Sequence, residues 1–71
     1  MINKDTKIYG SFSNNPGNNG CKFFNSKFKE DNINAIYKSF YSSNIRDSIN
    51  AVKILGIKGC AISMPFKVLL Y

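Results

Sequence analysis

The sequence predicts an α/β fold: a three-layer parallel sheet assembled in the order β-α-β-α-β-α. Two observations carry this prediction. Short segments rich in β-branched and aromatic residues alternate with segments whose apolar residues recur at helical spacing. Runs of Asn, Gly, Ser and Pro separate them. Alternation of this kind implies parallel strands joined by right-handed crossovers. With 71 residues the chain is at most one small domain, residues 1–71. A chain of that length buries only about 60% of its unfolded surface, so its core is thin.

Residues 6–12, Thr-Lys-Ile-Tyr-Gly-Ser-Phe, read as the first strand. Residues 13–20 contain only turn formers and read as a loop. Asn18 or Asn19 is placed to cap a helix in which Cys21, Phe24 and Phe28 fall on one face, ending near residues 31–32. Residues 34–41 form an aromatic-rich second strand. Ser43 or Asn44 then caps a second helix with the stripe Ile45, Ile49, Val52, Leu55. Asp47 in its first turn suits the helix dipole, and Gly56 suits its C-terminal end. Residues 57–63 form a third strand, small and apolar at its middle. Met64-Pro65-Phe66-Lys67 is read as opening a third helix, because Pro is tolerated in a first turn. The chain stops at Val68-Leu69-Leu70-Tyr71, two turns into that expected helix and without a cap, which predicts a truncated domain. An open sheet edge and this apolar tail favour association.

Composition narrows the function. Ten basic and four acidic side chains give a net charge of +6. The lysines are scattered and Arg46 is the single arginine, whereas base reading favours Arg, so nucleic acid is an unlikely partner. No His and two Cys exclude a zinc site of the usual kind and a disulfide scaffold. No segment approaches the ~20 apolar residues of a membrane span, and residues 1–5 do not open a signal peptide. The expectation is a cytoplasmic protein with reduced cysteines. Cys21, Cys60, Tyr37, Phe40 and Tyr41 read as core residues.

In open parallel sheets, ligands bind beyond the carboxyl ends of the strands. Two segments fall there: the Asn/Gly loop after the first strand and Ser63–Lys67 after the third. In the first turns of a helix, Lys67 would meet the positive end of the dipole, which lowers a lysine pKa and suits proton exchange. Ser63 would cap that helix or bind a ligand hydroxyl.

Gly56-Ile57-Lys58-Gly59-Cys60-Ala61-Ile62-Ser63-Met64-Pro65-Phe66-Lys67 resembles the signature of the shikimate dehydrogenase substrate-binding domain. There a Leu-Gly-x-x-Gly run leads into Asn-Val-Thr-x-Pro-x-Lys. With the upstream Pro-Gly-Asn-Asn-Gly, the version here is closer to the shikimate dehydrogenase-like branch. The resemblance covers residues 8–67. It implies the first part of an aminoacid-dehydrogenase-like substrate domain, followed in the family by a Rossmann domain that binds NADP. It further implies NADP-dependent interconversion of 3-dehydroshikimate and shikimate, or of a related polyol acid. The family's catalytic lysine falls on Lys67 and its substrate-binding threonine on Ser63. The serines that bind the substrate carboxylate fall near Asn18 and Gly20, and their loss puts shikimate itself in doubt. Asn25 matches the asparagine of a His-Asn pair, with Phe24 in place of the histidine, and Ala61 replaces a strand asparagine. The sequence contains no Gly-x-Gly-x-x-Gly loop. The expectation is therefore an oxidoreductase fragment without a cofactor site or metal of its own, inactive alone. A small ligand-binding or nucleic-acid-binding module is the alternative.

Overall fold

The computed structural model describes residues 2–63 and 67–70. It contains β1 (Lys7–Ser13), α1 (Asn19–Glu30), β2 (Ala35–Tyr41), α2 (Ile45–Leu55), β3 (Gly59–Ser63) and β4 (Lys67–Leu70). The strands form one sheet in the order β2-β1-β3-β4. β1 is central and parallel to both β2 and β3, and β4 runs antiparallel to β3. The predicted α/β alternation therefore holds for three parallel strands and two helices.

The last element is different. Residues 64–66 lie outside the described residues, and Lys67–Leu70 are a strand rather than the continuation of a helix. The free edge of β3 offers a ladder that a four-residue run can join at once.

Strand side chains alternate between the two faces, so each helix covers one set. Phe12, Cys60 and Ile62 share a face and, with Ile57, form the buried cluster. Ile8 and Phe40 pack against it from the sheet, and Ile49, Ala51 and Val52 from α2. Ile62 is 0% exposed and Phe12 3%, its ring stacked on Phe40 at 5.0 Å. Full burial of such a side chain stabilises by about 1.5–3 kcal/mol. The ends of the predicted α2 stripe, Ile45 and Leu55, remain exposed, and Ser48 is buried instead. Its hydroxyl donates to the Asn44 carbonyl at 3.1 Å and lies 3.0 Å from Ser42 Oγ, so its burial leaves no unsatisfied group.

α2 is well terminated. The Asn44 side chain accepts from the N–H groups of Arg46 and Asp47, at 2.8 and 3.2 Å. Gly56 closes the other end with φ 65°, a conformation glycine adopts without strain.

The opposite face carries α1. There Tyr9 packs on Phe28 and Tyr37 stacks on Phe24, with ring centroids 5.7 and 4.7 Å apart. Cys21 Sγ lies 3.3 Å from Ser39 Oγ, half-buried rather than in the core. No α1 residue is fully buried. Tyr41, expected in the sheet core, is 70% exposed at the end of edge strand β2.

Candidate functional site

The carboxyl ends of β1, β2 and β3 lie side by side. Register places Tyr41 beside Ser13, Ser13 beside Ser63, and Ser63 beside Lys67. The two residues expected to act after the third strand are thus neighbours across the β3–β4 ladder. Lys67 opens a strand, so the helix dipole invoked to lower its pKa does not act on it there.

Ser13 was not singled out by the sequence. Its hydroxyl accepts the Asn15 N–H at 3.0 Å and its carbonyl accepts the Ser42 N–H at 2.9 Å, which starts the loop toward α1. A Ser followed two residues later by a loop Asn is a turn signal that could have flagged it.

Asn18 sits at the N-cap position of α1 with φ −107° and ψ −6°, and its side chain makes no capping hydrogen bond. Its carbonyl accepts the Lys22 N–H at 3.0 Å. Gly20, in the first helical turn, faces the Tyr37 ring so closely that an added Cβ would lie 3.0 Å from it. Asn18 and Gly20 therefore stand on the β2 side of the sheet, while Ser63 and Lys67 stand on the far side of β1. Ser63 and Lys67 are neighbours by register, and Gly20 stands against Tyr37 of β2.

Asn25 has a role that its sequence position did not reveal. Its amide oxygen accepts the Tyr37 N–H and its amide nitrogen donates to the Tyr37 carbonyl, both at 2.8 Å. Only one orientation of the amide satisfies both bonds. This double bond hooks α1 over the outer edge of β2.

The consequence is an open groove beside α1. It has a volume of about 430 Å³ and is lined by Tyr9, Phe24, Phe28, Tyr37, Cys60 and Ala61 among others. It is apolar and lies toward the amino half of β3, away from Ser13, Ser63 and Lys67. The chemistry-bearing residues, not the concavity, mark the carboxyl edge. Among the described residues no three metal-ligating side chains converge, and no helix is long and apolar enough to cross a membrane. Burial pushes the Cys60 thiol above its ordinary pKa, which makes it a poor nucleophile.

Parallel βαβ units with polar groups at the carboxyl edge define a class, the open α/β sheets that bind ligands at that edge. The relatives of this chain are more particular. It is 48% identical over 67 residues to a shikimate dehydrogenase-like protein of Haemophilus influenzae, covering 94% of this chain and 25% of that one. It is 41% identical over 70 residues to the shikimate dehydrogenase (NADP(+)) of Pyrococcus furiosus, covering 94% of this chain and 26% of that one. A solved shikimate 5-dehydrogenase-like protein superposes with a TM-score of 0.85 at 47% identity, over 93% of this chain and 24% of that one. No protein-family model matches the chain. The chain is thus homologous, over nearly all of its length, to shikimate dehydrogenase-like proteins, and it spans about a quarter of the length of these relatives.

Proposed function

We propose that this chain provides the substrate-binding face of a shikimate dehydrogenase-like oxidoreductase acting on shikimate or a related polyol acid. The observation that carries the reading is kinship over 94% of the chain that includes the Ser63 and Lys67 positions, which adjoin across the β3–β4 ladder. In this reading Lys67 exchanges a proton with the substrate hydroxyl at the carbon being oxidised or reduced. Ser63 bonds another substrate hydroxyl. The Asn18 amide and the Gly20 N–H meet the carboxylate at the start of α1, where first-turn N–H groups lack intrahelical partners.

A dinucleotide does not fit the residues of this chain. The β1–α1 turn contains Pro16 and Gly17 but not the three spaced glycines that let a backbone approach a pyrophosphate. Among the described residues, the open groove is lined by aromatic and small residues, with no basic side chain to meet a phosphate. In this reading NADP is held by the family's separate Rossmann domain, and the 71-residue chain alone turns nothing over.

The test joins this chain to the remainder of the Pyrococcus furiosus enzyme and follows NADP reduction with shikimate. The joined protein is expected to turn over and the isolated chain to be silent. Lys67→Ala in the joined protein is expected to lower kcat far more than it raises KM. Turnover by the isolated chain, or an unchanged kcat in the variant, contradicts the reading. In the isolated chain, shikimate is expected to shift the backbone NMR signals of Asn18, Gly20, Ser63 and Lys67.

A further inference from the structure

β2 is an edge strand, and an edge strand presents a row of N–H and C=O groups to any strand that can reach it. In a strand these groups alternate in direction. Lys7 N–H and Ser42 N–H show that even-numbered positions 34 and 42 face β1. The odd-numbered residues of β2 therefore face outward. Four of their outward groups are taken from within the chain. Ala35 N–H donates to the Ile33 carbonyl at 2.9 Å. Tyr37 N–H and C=O are both held by Asn25 at 2.8 Å. The Ser39 carbonyl accepts Lys38 Nζ at 3.2 Å.

The Asn25 amide reproduces what a neighbouring strand would supply: one acceptor and one donor, at the middle of the edge. The side-chain amide stands where the backbone of a second strand would run. We infer that Asn25 is a plug on the β2 edge that prevents β2 from pairing with the β2 strand of a second copy of this chain. A second copy is the fitting partner because antiparallel pairing about a two-fold axis needs the same exposed row on both sides. β2 supplies such a row, with Ile36, Tyr37, Phe40 and Tyr41 as strong strand formers. The net charge of +6 and the lysine on the edge oppose the same association, so the plug and the charge act together.

The experiment uses the whole chain. Sedimentation velocity over a range of concentrations compares the natural chain with Asn25→Ala and Asn25→Asp. Asn25→Ala is expected to raise the self-association constant by about tenfold or more. Asn25→Asp still accepts the Tyr37 N–H but cannot donate to its carbonyl, so it is expected to fall between. A folded Asn25→Ala that sediments as the natural chain does overturns the inference. Hydrogen exchange on the natural chain guards against a variant that fails to fold. The Tyr37 amide is expected to exchange at least about tenfold more slowly than the Ser39 amide, which faces outward from the same edge without a described side-chain acceptor. Equal exchange at the two amides means that the plug does not hold, and the inference fails.

Discussion

The two faces of the sheet are built from the same strands yet end in different states. Under α2 the apolar side chains close into a dry cluster around Ile62, and the helix is capped at both ends. Under α1 the contact rests on two aromatic pairs and the Asn25 hook, and the N-terminal residue Asn18 caps nothing with its side chain. The helices are nearly equal in length, so length does not explain the difference. Position does. α2 returns across β1 to reach β3, and so lies over the middle of the sheet. α1 connects β1 to the edge strand β2 and is tied to that edge, which leaves the β3 side of its face open. One crossover makes the core, and the other makes a surface.

The comparison is broken most strongly in the core. Phe12→Ala removes a ring that is 3% exposed and stacked on Phe40. The expected loss is about 3–5 kcal/mol, close to the whole margin of a domain this small. Phe28→Ala, on the half-buried partner of Tyr9, is expected to cost about 1 kcal/mol. Urea unfolding of both variants measures the ratio. Equal losses would mean that the α1 face is as tightly packed as the other.

The helix caps sharpen the same contrast at smaller scale. Asn44→Ala removes an acceptor used by two N–H groups and is expected to cost about 1 kcal/mol. Asn18→Ala removes no capping bond and is expected to change stability by no more than about 0.5 kcal/mol. Thermal unfolding followed by circular dichroism checks both. A large loss in Asn18→Ala would show a capping bond that forms in solution.

Much of the well-packed half was legible in the sequence. The spacing of Ile49 and Val52, the cap Asn44 and the stop Gly56 all describe α2, and its bounds follow from them. Local chemistry sets such elements. The α1 half was less legible because its fate depends on partners far along the chain. Cys21, Phe24 and Phe28 have the periodicity of a core face, yet Phe24 is 40% exposed, since β2 is an edge and offers little to bury against. Asn25 looks like any polar helix residue until the Tyr37 backbone arrives beside it. Pro65 was consistent with a helix start, but the free edge of β3 drew Lys67–Leu70 into a strand. For the candidate site, the sequence pointed to Ser63 and Lys67, while the place of Ser13 between β2 and β3 depended on a register that no local pattern encodes.

The smallest expected effect concerns a residue that belongs to both halves. Cys60 is part of the buried cluster and also lines the groove beside α1. Its burial raises the thiol pKa above the ordinary 9.0 by disfavouring the thiolate. The unfolded chain then releases this proton at lower pH than the folded chain. Above pH 9.0 the folded state holds more protons, so stability falls as pH rises. The contribution is complete below that value and is lost as pH climbs through the raised folded pKa. Cys60→Ala removes the titrating group, so its stability should decline less between neutral pH and pH values above 9.0 than that of the natural chain. Parallel declines would mean that water reaches the thiolate within the cluster under α2. Thiol labelling at neutral pH gives an independent reading, with half-buried Cys21 modified before Cys60. If Cys60 is labelled as fast as Cys21, α2 lifts from the sheet often enough to expose the core beneath it.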